Sequence, residues 1–350
     1  MDEMKYLVSG NAPVLYPVET FWGLLHCVDG KTLEIPFRYP LYGEWGCPVS
    51  NVYDFVEDMS IPDRINVVYL SIVERKFYSL NEEIVKDSQD RMQEALAAHD
   101  GEDMHMVVGL APYGLVSLWI STPVKRYFIC SYNAKDASVP MKCFRAATPD
   151  VTVNEVCDDY LTRLRVVRDN QLRYGLPSKD LYPKLMQQYR YRYVIEFRKW
   201  NGDNECWEEY EEAQELDKPV LCRVEDHLTD GAFDKLNDGG LFKYHFGGKP
   251  QKLHLKWEIG KAEYDAYLWF DDSRLVTLFG KFYGIHRETN ADLMINIDVT
   301  KSRYEVALFR YGLQEPVVIP ENAYQLIVFK NKFEYHRSEN YDKPKGAWVW

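Results

Sequence analysis

The chain has 350 residues, 46% of them hydrophobic and 27% charged, which is the balance of a folded protein rather than a disordered one. Its formal net charge of −12 argues against a nucleic-acid partner, since phosphate binding needs a clustered basic surface. Seven cysteines, an odd number with no C-x-x-C pair, fit neither a disulfide framework nor a zinc site; they read as reduced thiols of a cytoplasmic protein.

The first third reads as strands. Residues 18–27 and 31–37 flank Asp29-Gly30, a pair that closes hairpins. Residues 64–73 are apolar on both faces and predict a central strand. Asn81 is placed to cap a helix over 82–98, with Val85, Met92 and Leu96 on its inner side. Strands over 106–110 and 115–120 flank Ala111-Pro112-Tyr113-Gly114, and 126–132 continues the meander. Thr152-x-x-Glu155 has the form of a capping box. Val153, Cys157, Tyr160, Leu164 and Val167 then recur at helical spacing up to Gly175, and a second helix is expected over 180–189.

The second half opens with a strand over 191–199 and continues through 253–258, 264–270, 293–299, 304–309 and 324–329, with a hairpin turn over 299–302. The expected fold is α+β and β-rich, with mainly antiparallel sheets and a few helices between two halves. The expected domains are a β-rich half over 1–150, a helical connection over 151–190 and a second β-rich half over 191–350.

Four stretches together resemble a known family. They are Tyr69-Leu70-Ser71-Ile72-Val73-Glu74-Arg75-Lys76-Phe77-Tyr78, Val108-Gly109-Leu110-Ala111-Pro112-Tyr113-Gly114, Arg310-Tyr311-Gly312, and an ending that runs from Phe333-Glu334 to Trp348-Val349-Trp350. The chain is similar, over most of its length, to the bacterial family catalogued as domain of unknown function 2931. Many members of that family resemble lipoproteins with a lipobox cysteine near the start. Cys27 follows no signal-like segment, so anchoring is not carried over, and no apolar run reaches the roughly eighteen residues of a membrane span. The resemblance brings no assigned reaction; the gene neighbourhood of some members implies a protective or adaptor role.

The residues themselves show no assembled chemistry. The eight histidines lack H-x-H and H-E-x-x-H spacing, there is no G-x-S-x-G elbow, and the doublets Gly239-Gly240 and Gly247-Gly248 do not form a phosphate loop and read as mobile surface turns. No metal or cofactor is expected. Glu74, set among apolar and aromatic residues, reads as a paired carboxylate at a strand end.

The acidic run from Trp207 to Glu215 carries five carboxylates and two aromatics with almost no balancing base. Trp207, Glu208, Tyr210, Glu211 and Glu215 are therefore the expected contact residues for a basic partner, with the rings as anchors and the acids as steering charge. The leading expectation is a non-enzymatic binding protein, an immunity or adaptor protein that masks a bacterial toxin or effector. The alternatives are an enzyme using scattered residues such as Glu74, His105, Glu334 or Arg337, and a small-ligand or carbohydrate binder with Trp and Tyr platforms.

Overall fold

The first long hairpin turns at Gly30, whose φ of 85° suits a residue without Cβ, and Asp29 there accepts the Lys31 amide at 2.9 Å. Its long arm is the strand Val18–Cys27, with the boundaries expected, and its return arm is Thr32–Glu34. The computed structural model describes residues 4–36, 40–51, 58–99, 104–209, 218–236, 243–299 and 303–338. The fold is α+β and β-rich, with mostly antiparallel sheets. The chain divides into two compact units between Tyr182 and Pro183.

In the N-terminal unit the apolar strand Pro62–Ser71 lies between Val18–Cys27 and Lys76–Glu83, the central place expected of it. A second set of strands runs in the order Lys125–Asn133, Leu115–Ser121, His105–Leu110, Leu7–Asn11, with only the last two parallel. Inward side chains of both sets, among them Ile65, Val67, Tyr69, Val108 and Leu118, form one core with Met92 and Leu96 of the helix Lys86–Ala97. That helix starts later than expected. Asn81 does not cap it; the residue belongs to the strand Lys76–Glu83 and accepts a bond from Arg64. Val85 stands before the first helical residue and is exposed. The strand continues to Glu83 because its alternate residues keep pairing with Pro62–Ser71, and local capping propensity does not outweigh that ladder.

Thr152 and Glu155 make both bonds of the capping box and start the helix Val153–Arg163. The continuous helix expected from there to Gly175 is two helices, Val153–Arg163 and Arg165–Tyr174, because Leu164 leaves the helical region at φ −93° and ψ 65°. Val156, Cys157, Leu161 and Val167 cover Leu70, Ile72, Val73 and Phe77, so these helices pack on the end of the central hairpin. The second expected helix shrinks to Leu181–Leu185; Tyr189 and the residues after it are strand.

In the C-terminal unit one layer runs in the order Phe333–Arg337, Tyr324–Lys330, Ala262–Phe270, Pro250–Ile259, Val220–Leu228, Phe233–Leu236. The other runs Cys206–Glu209, Tyr189–Asn201, Ala291–Asp298, Tyr304–Phe309, Val317–Val318, with Tyr189–Asn201 parallel to Ala291–Asp298. Leu253, Leu255 and Trp257 of the first layer share a core with Tyr191, Tyr193, Leu293 and Ile295 of the second. The helix Asp272–Tyr283, which the sequence reading missed, adds Leu275 and Phe279 to that core; it is capped by the Asp271 carboxylate on the Arg274 amide. The doublet Gly247-Gly248 is buried rather than a surface turn. Gly248 donates its amide to Asp230 at 2.8 Å. The Trp348–Trp350 ending, the doublet Gly239-Gly240 and residues 300–302 lie outside the described residues.

Gly109 shows how tightly the N-terminal core closes. Trp45 and Trp119 meet edge to face above it at 4.8 Å, and a Cβ there would stand 2.7 Å from Cη2 of Trp119 and 2.9 Å from Cη2 of Trp45. Two rings in a packed core move only at a cost. Gly109→Ala is expected to destabilise the protein by about 1–3 kcal/mol, read as a lower midpoint in urea at unchanged slope.

Candidate functional site

Only the start of the acidic run lies among the described residues; Tyr210, Glu211 and Glu215 fall outside them. Cys206–Glu209 is a strand, not a helix or loop, and pairs with the end of Tyr189–Asn201. This hairpin supplies base that the linear sequence hides. Glu208 stands opposite Lys199 and Glu209 opposite Arg198, and Glu208 also accepts from Asn201 at 2.6 Å. Trp207 is half-buried, donates its indole N–H to Glu305 at 3.0 Å and meets Trp200 at 5.3 Å, with Arg303 3.6 Å above the Trp200 ring. Trp207 is thus an anchor of its own sheet, and Glu208 and Glu209 have bases as cross-strand neighbours, although the Arg198 guanidinium itself bonds Glu196 and the Trp207 carbonyl.

The scattered acids and bases are each held in local structure. Glu74 accepts from the Ser71 hydroxyl at 2.8 Å, the Tyr78 hydroxyl at 2.8 Å and the Tyr113 amide at 3.0 Å. It is a paired carboxylate beside a strand end, as expected, but its neighbours in sequence turn elsewhere: Arg75 bonds Asp158 at 2.5 Å and Lys76 bonds Asp136 at 3.1 Å. His105 shares a 2.8 Å bond with Ser9 on the neighbouring parallel strand. Glu334 and Arg337 bind one another in two places at the surface. Burial pushes the Cys27 thiol up to about 11 and the Cys157 thiol up to about 12, which leaves neither as an activated thiolate. No group of three metal-ligating side chains comes together among the described residues.

The aromatic residues of the C-terminal layer form a row rather than a platform. His254 stacks on Tyr267 at 4.4 Å and 5°, and Tyr267 on Trp269 at 5.6 Å and 16°. The flat faces of Tyr267 are therefore taken up by its neighbours. His254 is further clamped by Glu225 at 3.0 Å and Asp265 at 2.5 Å.

Several buried acids escaped the sequence reading, Glu19 and Asp226 among them. Glu19, near the start of the strand Val18–Cys27, is matched by the Arg145 guanidinium, which binds both its oxygens, and by the Tyr160 hydroxyl at 2.6 Å. This ties Val18–Cys27 to the helix Val153–Arg163. Asp226 lies on the inner face of Val220–Leu228, 1% exposed, and its Oδ1 has no hydrogen-bond partner. Burial raises its pKa well above the ordinary carboxylate range; the Tyr193 phenol partly opposes that shift, and the charges of Asp234 and Asp230 add to it. Asp230, by contrast, accepts from Gln188, Ala232 and Gly248, while buried Lys249 donates to the Lys184 carbonyl at 2.8 Å.

One surface stands apart. The helices Val153–Arg163 and Arg165–Tyr174 enclose, with Arg75, an open cleft of about 610 Å³. Leu161 lies buried in it, while Arg75, Arg168, Leu172 and Leu176 form its walls. Arg75 reaches the cleft because its backbone takes a left-handed φ of 58°, and Asp158 and the Asn154 carbonyl hold its guanidinium there. Leu172 is 80% exposed, Val166 50% and Leu176 40%. Arg165, Arg168 and Arg173 stand against the single acid Asp169 on the second helix, so this face is basic in an acidic chain. Its spacing was readable, but its exposure was not.

Residues 2–168, just under half of the chain, match the family described as Protein of unknown function (DUF2931), the same family as the resemblance drawn from the sequence, though over a shorter span than that resemblance implied. The matched span includes the stretches 69–78 and 108–114 and stops before 310–312 and the chain's ending. No curated protein and no solved structure matches the chain. No helix among the described residues is long and apolar enough to cross a membrane.

Removing the Glu74 carboxylate leaves two hydroxyls and an amide without their acceptor. Glu74→Ala is expected to destabilise the protein by about 2–4 kcal/mol, lowering the melting temperature of the N-terminal unit by roughly 5–15 °C. Asp226 has a raised folded-state pKa, so its contribution to stability is full below the ordinary carboxylate value and is lost as pH rises through the folded value. Denaturant titrations of wild type and Asp226→Asn across that range are expected to show the wild type losing stability relative to the variant as pH increases. A difference that is constant with pH would show that Asp226 does not titrate in this way.

Proposed function

We propose that the chain is a non-enzymatic partner-binding protein of adaptor or immunity type, and that it holds its partner on the helical face around the cleft of the N-terminal unit. The observation that carries this reading is Leu172, a large apolar side chain 80% exposed on the wall of a cleft whose other walls bear arginines. A leucine on a surface is ordinary when isolated. Here it stands with Leu176 beside a cavity within the roughly 300–1,000 Å³ range of ligand-holding sites, and arginines are favoured at the buried centre of interfaces.

The Cys206–Glu209 hairpin is the second candidate surface. Its half-buried Trp207 would serve as the anchor for a basic partner, such as a toxin or effector domain, steered by the acids that follow.

The two surfaces separate in one experiment. Tagged wild type, Leu172→Asp and Trp207→Ala are used to capture partners from an extract of the organism that carries the gene, after their melting temperatures are shown to agree. The expected result is a partner retained by wild type and Trp207→Ala and lost from Leu172→Asp. A partner kept by Leu172→Asp and lost from Trp207→Ala would move the interface to the hairpin, and one kept by both variants would remove both surfaces.

A further inference from the structure

We propose that the contact segment of the partner is an amphipathic helix that sets acidic side chains beside a leucine-type side chain. The inference rests on the docking reading above and goes beyond it by naming the chemistry that fits the cleft. On the helix Arg165–Tyr174, Arg165, Arg168 and Leu172 fall at i, i+3 and i+7, so two guanidinium groups and one apolar side chain share a single stripe. Val167 is the one residue of this helix in the apolar core among those whose burial is described, which leaves the stripe facing outward. Leu172 and Leu176 border the cleft from this side, Leu161 forms its apolar floor, and Arg75 stands on the opposite wall.

The charges match an acidic helix. Arg168 is held by Asp169 in a bond between neighbours in sequence, with their side chains 44% and 64% exposed, and such exposed pairs are worth little. A carboxylate that brings apolar area with it would replace Asp169 at small cost. Arg75 is different: its bonds to Asp158 and Asn154 hold it as a fixed, charge-paired wall rather than a free hand. A partner helix with glutamates at i and i+4 and a leucine between them at i+3 would set carboxylates against Arg165 and Arg168 and drop its leucine toward Leu161.

A membrane fits these observations less well. A cleft bounded on both sides suits an inserted side chain better than a flat lipid surface.

The test uses the full chain with labelled leucine and valine methyl groups and follows them by NMR. The probe is an 18-residue amidated peptide with glutamates and leucines in the stated spacing; a second peptide carries lysine in place of every glutamate. Expected are saturable shifts at Leu161, Leu172 and Leu176, roughly tenfold weaker binding to Arg168→Glu, and a gain for the lysine peptide on that variant. Affinity for the wild type is expected to fall as salt rises from roughly 50 to 300 mM. Equal binding of the lysine peptide to wild type, or absence of shifts at these methyls, overturns the proposal. So does binding of phosphatidylserine–phosphatidylcholine vesicles through Leu172 when the acidic peptide does not bind. A partner captured through Leu172 whose binding is indifferent to Arg168→Glu would overturn the acidic helix and leave the docking face in place.

Discussion

Glu74 and Arg75, adjacent in one tight turn, hold the N-terminal unit in two directions. Glu74 gathers the Ser71 and Tyr78 hydroxyls and the Tyr113 amide, which joins the central hairpin to the turn at 112–114. Tyr113 itself has a positive φ of 61°, a conformation that costs a non-glycine residue about 1–3 kcal/mol and that the Glu74 bond helps to offset. Arg75 points the other way and bonds the backbone of Asn154 and the carboxylate of Asp158. The helices of 153–174 therefore sit where the turn sets them, and the cleft between them inherits its arginine wall from it. Glu19, bound to Arg145 and Tyr160, is a second fastener of the same helix, placed at another point of the sheet.

Charge in this chain is mostly answered locally. Cross-strand pairing sets Lys199 and Arg198 opposite Glu208 and Glu209, so a run that is strongly acidic on paper begins with bases beside it. Glu225, His254 and Asp265 answer one another across three strands, with Arg223 beside Glu225. Buried Lys249 places its ammonium on the carbonyls at the end of the helix Leu181–Leu185 and over the Tyr189 ring. The helix Arg165–Tyr174 differs, with three arginines against one acid and exposed leucine among them. A net charge of −12 gives no warning of such a patch, because it averages over faces that a partner would meet one at a time.

Many strands were legible where an apolar face survives as a pattern in the sequence, although Leu7–Asn11 and Lys76–Glu83 were not. Val18–Cys27 and Tyr304–Phe309 were read residue for residue, and Ala262–Phe270 nearly so, because side-chain alternation survives in their sequences. Val220–Leu228 was missed because Arg223, Glu225, Asp226 and His227 mask the alternation, and Asp226 is an acid on the inner face. The helix Asp272–Tyr283 carries a readable signal, an Asp271 cap and apolar Leu275 and Phe279 at i and i+4, but that signal is short and was passed over. The capping box at Thr152 was legible because its logic is local. The break at Leu164 was not, since tertiary packing on Phe77 and Val73 places it. Of the candidate surface, the sequence shows arginine and leucine at helical spacing. It does not show that Leu172 is left uncovered, which depends on where the neighbouring elements end.

Hydrogen exchange in wild type and Arg75→Ala tests most directly whether this turn builds the candidate surface. If it does, amides of 153–174 will exchange faster in the variant while those of the central strand Pro62–Ser71 keep their protection, since that strand's ladder does not involve the guanidinium. Unchanged protection across 153–174 would contradict the account, because the helices and the cleft would then hold their places without the turn.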